Sequence, residues 1–458
     1  MRHIHLIGIG GTGLSAIARL LLESGYTVSG SDRAESLLVK ELRQAGVKVF
    51  IGHAEDNIFG ADLIVRSSAV TEDNPEVVAA RAAGIPVLKR SDFLGTITAE
   101  KRVIAIAGTH GKTTTTAMAA WVLTRLGLDP SYIIGGVSKN LGNNAHAGKG
   151  QFFVIEADEY DFMFLGLQPE QIIVTSMEHD HPDCFPTLED YRDAFKLFIQ
   201  QIKSGGLVLL CRDDAGADSL KDTVPPACRT LSYGIESAAN YHASNLTLND
   251  KGGFDFTACF EDTVLTRVSL RVPGQHNVRN ALAVTAVTHQ LGFSISEAVQ
   301  ALEEYSGSGR RFEVLGEVNG ITVIDDYAHH PTEIRATLAA ARSRYPGRRI
   351  WAVWQPHTYS RTRTLLEQFS DSFGNADRVV VTEIYAAREP QEEFSAVQVV
   401  SQMKHPSARF IPGLIETAET LLEELKPGDV LLVLSAGDAD QISAHVLAGL
   451  QERLVTNG

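Results

Sequence analysis

Short runs of Val, Ile and Leu alternate along this chain with longer stretches in which apolar residues return every three or four positions. The short runs fit strands buried on both faces of a parallel sheet, and the longer stretches fit the helices that cross over between them. Runs at residues 4–7, 63–65, 103–107, 152–155, 172–175, 207–210, 322–324, 350–353, 379–381 and 430–434 therefore predict an α/β protein. Many lead straight into polar clusters: Gly8-Ile9-Gly10-Gly11, Gly108-Thr109-His110-Gly111, Glu156-Ala157-Asp158-Glu159, Asp325-Asp326-Tyr327 and Gln355-Pro356-His357. Ligands of open α/β sheets bind beyond the carboxyl ends of the strands, so these clusters outline the candidate clefts.

The rhythm breaks once. Residues 241–248, 254–260 and 264–272, with Asp250-Lys251-Gly252-Gly253 between the first two, predict an antiparallel addition to the middle of the chain. Two boundaries are expected, one in the polar stretch 89–101 and one near Gly307-Ser308-Gly309-Arg310, before a fresh strand and helix series. They divide the 458 residues into domains 1–100, 101–312 and 313–458, each of ordinary size.

Composition narrows the ligands. With 41 basic and 56 acidic residues the formal net charge is −15, which opposes non-specific binding to nucleic acid or to an anionic membrane. Any phosphate must therefore be met by local groups. Cys184, Cys211, Cys228 and Cys259 show no CxxC spacing, so neither a disulfide framework nor a zinc site is expected. The amino terminus runs at once into a glycine loop without signal-peptide features, and no stretch reaches 18 apolar residues. A cytoplasmic protein with reduced thiols and no membrane partner is the expectation.

Two glycine loops carry the chemistry. Gly8, Gly10, Gly11 and Gly13 lie between a strand and a helix, and Asp32 ends the following strand. That is the dinucleotide pattern, in which glycines admit a diphosphate to the helix amino terminus and the carboxylate accepts from a ribose. The second loop, Gly108-Thr109-His110-Gly111-Lys112-Thr113-Thr114, supplies the amides, ammonium and hydroxyl that a triphosphate with Mg²⁺ requires. The usual pattern has a glycine where this chain has Ile106, so the loop is a shortened variant. Glu156, Asp158, Glu159 and the cluster Glu178-His179-Asp180-His181 are candidate holders of one or two Mg²⁺ ions, hard cations that favour oxygen ligands. In the last third, His329, His357 and Arg361 follow two neighbouring apolar runs and fit capture of a small carboxylate.

The succession GIGGTG, GTHGKTTTT, EADE, DHPD, PGQHNVRN, GRRF, DDYAHHPTE and QPHTYSRT resembles the Mur ligase family over essentially the whole chain, and its last two motifs resemble the alanine-adding members. The resemblance implies a Rossmann-like amino-terminal domain for a UDP-sugar, a central P-loop ATPase, and a Rossmann-like carboxyl-terminal domain for an amino acid. It implies ATP-dependent joining of L-alanine to the lactoyl carboxylate of UDP-N-acetylmuramate through an acyl phosphate, in peptidoglycan precursor synthesis. By the same resemblance Lys112 holds the β- and γ-phosphates, Thr113 and Glu156 a first Mg²⁺, and Glu156 with His181 a second. Asn277, Asn280, Arg311 and Asp326 match nucleotide and hinge positions. His329, His357 and Arg361 match the amino-acid pocket, with His329 placing or deprotonating the amine. Several members carry a carbamylated lysine where this chain has Phe195, so no carbamylation is expected. A monomer or weak homodimer is expected.

Rival readings leave residues unused. A nicotinamide dehydrogenase explains the first loop but not Lys112, and a P-loop switch explains Lys112 but not three strand-end clusters. Within the family the nearest alternative is the ligase that attaches a recycled murein tripeptide to the same UDP-sugar.

Overall fold

The computed structural model describes residues 2–457 and contains three β-sheets flanked by helices. The first sheet is all parallel, with β1 (His3–Ile7), β2 (Thr27–Asp32), β3 (Lys48–Ile51), β4 (Leu63–Arg66) and β5 (Val87–Lys89) in the order 3-2-1-4-5. The order reverses at β1, so the glycine loop leaving that strand opens into the crevice between its neighbours.

The second sheet has ten strands: β6 (Arg102–Ala107), β7 (Ser131–Ile133), β8 (Ala145–His146), β9 (Phe152–Glu156), β10 (Gln171–Val174), β11 (Leu207–Cys211), β12 (Arg229–Gly234), β13 (Tyr241–Leu248), β14 (Phe254–Phe260) and β15 (Thr263–Ser269), in the order 15-14-13-12-11-10-6-9-7-8. The strands from β12 to β7 run parallel, and β13, β14 and β15 extend one edge as the expected antiparallel addition. Strand β6 sits between β10 and β9. That order alone lays the second glycine loop between the Glu156–Glu159 segment and the Glu178–His181 segment.

The third sheet repeats the device. Its strands β16 (Glu313–Val318), β17 (Ile321–Asp326), β18 (Ile350–Trp354), β19 (Arg378–Val381), β20 (Ala408–Phe410) and β21 (Val430–Leu434) take the order 16-17-21-18-19-20, with only β16 antiparallel to its neighbour. The segments after β17 and β18 thus flank the end of β21. All ten apolar runs fall on strands, each within two residues of its observed ends.

The cores divide unevenly. One apolar cluster runs from Ile4, Leu6 and Leu14 of the first sheet through Phe93 and Leu94 to Val103, Ile104 and Phe164 of the second. The third sheet has separate clusters on its two faces, one around Trp354 and Phe369 and the other around Trp351 and Val446. The stretch 89–101, in which a domain boundary is expected, contains the helix Arg90–Thr98. Phe93 and Leu94 bury themselves in the shared cluster, so the stretch is an element of the interface and not a free connection. Among the described residues no helix is long and apolar enough to cross a membrane, and all four cysteines are free.

Close backbone approach fixes that interface. A Cβ on Gly166 would collide with the carbonyl oxygen of Ser91, and one on Gly95 would lie 2.8 Å from the carbonyl of Gly166. Gly166→Ala is expected to destabilise the protein by about 1–3 kcal/mol through overpacking, read as a lowered midpoint in urea or thermal unfolding.

Candidate active site at the junction of three domains

The first glycine loop is held from within. Gly8, at φ +84°, takes the left-handed turn, and the amides of Gly8 and Ile9 both donate to Ser31 O, at 2.8 and 3.0 Å. Asp32, expected to accept from a ribose, accepts the Gly10 amide at 2.8 Å through Oδ2 and the Ala34 amide at 3.4 Å through Oδ1. Gly10 is required by this contact, because a Cβ there would lie 2.9 Å from both Asp32 Oδ2 and a Val39 methyl. Gly11 caps the helix Thr12–Glu23, and Gly13 leaves room for the Arg90 guanidinium, which reaches Asp158 at 3.5 Å.

The second loop is the centre of the charge network. Gly108 (φ +134°) and Gly111 (φ +80°) adopt backbone conformations that side chains resist, and Gly111 caps the helix Lys112–Arg125. The Lys112 ammonium folds back on the loop, donating to Gly108 O, to Thr109 O at 3.2 Å and to Glu159 Oε2 at 2.9 Å. Glu159 is fully buried. Its Oε1 accepts from Tyr191 Oη at 2.9 Å and lies 3.7 Å from His181 Nε2. Nearby acidic groups hold Lys112 charged in spite of burial. Thr113 Oγ1 donates to Glu156 Oε1 at 3.0 Å, and the Gly135 amide to Glu156 Oε2 at 2.6 Å. Burial outweighs these contacts and pushes the Glu156 carboxyl up from its usual value. A carboxylate in that condition beside a threonine hydroxyl fits a hard cation. His181 neighbours Glu159 and Asp180.

His110 crosses to the third domain. Its Nε2 lies 2.5 Å from Glu178 and its Nδ1 3.1 Å from Glu333, and these carboxylates overcome desolvation to raise the imidazole to about 10. Ligand-type atoms of His110, Glu178 and His330 lie within 4.8 Å of one another, but the proton on His110 already supplies the positive charge between the carboxylates. His330 caps the helix Pro331–Arg344 through a reciprocal capping box with Glu333. Arg361, expected to bind a substrate carboxylate, is buried, and its Nε donates to Asp180 at 2.8 Å while Nη1 faces His357 Nδ1 at 3.0 Å. Arg388 adds a further tie, stacked over Tyr160 at 4.1 Å with Nη2 2.8 Å from Asp183.

These groups line two cavities. The smaller, about 320 Å³, contains Thr113, Thr114, Asn277, Asn280, Arg311 and Asp326. The larger, about 690 Å³, draws Gly13 and Arg90 from the first domain, Lys112 and Glu156 from the second, and His329, His357 and Arg361 from the third. Gly111, Thr113, Arg311 and Glu333 line both. Between the second and third domains the chain passes through left-handed Arg310 and Phe312, with the Phe312 amide donating to Asp326 Oδ2 at 2.6 Å. Burial pushes the Asp326 carboxyl up to about 6, while Arg311 opposes the shift.

Comparison with known proteins identifies the family. The family models described as Mur ligase family catalytic domain, Mur ligase middle domain, and Mur ligase glutamate ligase domain match residues 3–102, 106–288 and 310–437. The chain belongs to the Mur ligase family. It is 43% identical over 453 residues to UDP-N-acetylmuramate–L-alanine ligase of Alkaliphilus metalliredigens, covering 98% of this chain and 97% of that one. The enzyme of the same name from Geobacter sulfurreducens is 43% identical with 98% of each chain covered. Among solved structures, UDP-N-acetylmuramate-alanine ligase from Thermotoga maritima superposes with a TM-score of 0.84 at 31% identity, covering 99% of this chain and 100% of that chain. A murein peptide ligase from Psychrobacter arcticus gives 0.73 at 27%, covering 98% and 99%.

Within this Mur ligase, Phe195 is buried against Tyr191 and Phe164, and Lys196 points to Glu189 and Asp193 at the surface. Sequence reasoning passed over Glu333, Arg90 and Tyr191. Glu333 stands unassigned inside the DDYAHHPTE motif, and Arg90 inside the polar stretch where a domain boundary is expected.

Histidine titration tests the charge assignment. In labelled protein His110 is expected to lose its proton near pH 10, whereas burial keeps His276 and His329 neutral down to about 4. Because the His110 value is raised in the folded state, its contribution to stability is complete below about 6.5, the unfolded value, and is lost as pH rises through about 10. His110→Gln should flatten this part of the stability profile.

Proposed function

We propose that the chain is an ATP-dependent ligase that joins L-alanine to the lactoyl carboxylate of UDP-N-acetylmuramate, releasing ADP and phosphate. The observation that carries this reading is the larger cavity, in which a phosphate loop meets side chains of all three domains. The two full-length relatives named above favour alanine over a recycled tripeptide as the added group.

A carboxylate is a poor acylating agent. In the proposed reaction its oxygen attacks the γ-phosphorus of ATP, ADP leaves, and the acyl phosphate so formed has a good leaving group. Lys112 swings from Glu159 toward the β- and γ-phosphates, a movement that the flexible ammonium permits. Thr113 and Glu156 are the residues that would hold Mg²⁺, with His181 close by for a second ion. Mg²⁺ supplies positive charge to the phosphate oxygens. The smaller cavity, with Asn277, Asn280 and Asp326, takes the nucleoside part of ATP. The first glycine loop takes the UDP diphosphate, with its own Asp32 contact keeping it in shape.

The amine of L-alanine then attacks the acyl carbon, and phosphate departs. Arg361 and His357 face the carboxylate of the amino acid. Because Arg361 is already fixed by Asp180, it approaches that carboxylate as a pre-oriented donor, which lowers the cost of binding. Closure of the third domain keeps water from the acyl phosphate. The site is proposed to act in the cytoplasm.

The deciding assay is phosphate release with ATP, UDP-N-acetylmuramate and each amino acid supplied singly, in which L-alanine should be needed for turnover. Lys112→Ala is expected to lower the rate more than about 100-fold, since it removes charge stabilisation on the scale of an oxyanion donor. Arg361→Lys should raise the KM for L-alanine about 10-fold with little change in that for ATP, because the ammonium retains the charge opposite Asp180 but not the paired donors.

A further inference from the structure

The DHPD motif ends in Asp183, whose carboxylate takes no part in the reaction described above and instead ties two domains together. Its Oδ2 accepts from Arg388 of the third domain, at 3.2 Å from Nε and 2.8 Å from Nη2, and from Tyr160 Oη of its own domain at 3.1 Å. The Arg388 guanidinium also lies 4.1 Å from the centre of the Tyr160 ring. Both ends of this clasp start beside Arg361. On one side Arg361 Nη1 lies 3.0 Å from His357 Nδ1, and His357 pairs through a single β-bridge with Tyr385, from which the chain turns at left-handed Ala387 into Arg388. On the other side Arg361 Nη2 lies 3.5 Å from His181 Nδ1, and the His181 ring meets that of Tyr160 edge-on at 5.1 Å. The clasp thus completes a ring of groups around Arg361, and Tyr160, Ala387 and Arg388 line the larger cavity together with Arg361 and His357. Glu389 fixes its base, because Oε2 accepts the amides of Tyr359 and Ser360, at 2.5 and 3.1 Å, at the start of the short helix that carries Arg361.

A free amino acid ends at the carboxylate that Arg361 and His357 face, whereas a peptide with the same first residue continues from that carbon. We propose that the clasp of Arg388 on Tyr160 and Asp183 sets the length of the acceptor, closing the larger cavity on the carboxylate side so that a single amino acid fits and a peptide does not. The inference rests on the ligase reading above and names the acceptor class that its site takes. For a longer acceptor to pass, the guanidinium must leave the ring and the carboxylate together. The resulting selection is finite. Arg388 is half-exposed and Asp183 partly buried, and an ion pair or a cation over a ring in such a setting is worth little alone. Acting together, the two contacts weight acceptors by about tenfold. Arg388 is a specificity-determining residue in this scheme, and touches none of the reacting atoms.

Three acceptors separate length from charge: L-alanine, L-alaninamide, which lacks the carboxylate but is no larger, and the dipeptide L-alanyl-glycine. Their kcat/KM values are measured with ATP and UDP-N-acetylmuramate in wild type, Arg388→Ala and Arg388→Lys. In Arg388→Ala the dipeptide is expected to gain about tenfold or more relative to L-alanine, while the alaninamide ratio and the L-alanine value itself stay within about threefold of wild type. Arg388→Lys keeps a cation over Tyr160 and opposite Asp183, and should hold the dipeptide ratio nearer to wild type. A dipeptide ratio that does not rise in Arg388→Ala overturns the clasp, as does an alaninamide ratio that rises equally or a loss of L-alanine turnover. A fall in the dipeptide ratio makes Arg388 a contact for the peptide's own carboxylate and overturns it too. A wild-type enzyme that does not consume L-alanine overturns the ligase reading itself, whereas normal alanine turnover with an unmoved dipeptide ratio overturns the clasp alone.

Discussion

A carboxylate taken out of water must find a cation or a set of donors, and the junction of these domains contains Glu156, Glu159, Asp180, Asp326 and Glu333, each largely or wholly withdrawn from solvent. Their partners come from elsewhere in the chain: Lys112 for Glu159, Arg361 for Asp180, His110 for Glu333 and the Phe312 amide for Asp326. The positions of the domains follow from this demand. Moving the third sheet away would leave Asp180 without Arg361 and Glu333 without His110. For Glu156 and Asp326 desolvation outweighs the partners, and Glu156, beside the Thr113 hydroxyl, has the stronger claim on an added cation.

Strand order creates that demand. With β6 between β9 and β10, a lysine, two glutamates and an aspartate emerge side by side from adjacent strands, and with β21 between β17 and β18, the histidines and arginine of the third domain emerge together opposite them. Lys112 meets Glu159 within the central domain, whereas Asp180 and Glu333 take partners from the facing domain. Across the cleft Arg361 meets Asp180 and His110 meets Glu333.

The strands and the two phosphate loops were legible because buried parallel strands are continuous apolar runs and because glycine followed by a helix start is a local signal. The helix within 89–101 was not legible for the opposite reason: Phe93 and Leu94 make two apolar positions in a polar stretch, and only the neighbouring domain shows that they are core. Arg361 could be assigned from sequence to a charge-binding pocket, but its fixed partner Asp180 lies 181 positions away, and no local pattern links them. Asp32 was read by analogy with a ribose contact, whereas its observed partner is the loop it was expected to accompany. Glu333 stayed invisible because a glutamate three residues into a helix looks like part of a cap. It is one, and it also touches His110 and His329.

The uninterrupted apolar cluster between the first two sheets makes them one piece for anyone who cuts or exchanges parts of this chain. A fragment ending near residue 100 would bare Phe93, Leu94 and the facing surface of the central domain to water, and a foreign amino-terminal domain would have to bring its own matching helix with it. A cut near Gly309 severs mainly ionic contacts, whose groups are soluble once separated. Its apolar contacts thus divide the chain into two pieces, with the join at the glycine-rich segment before Arg310.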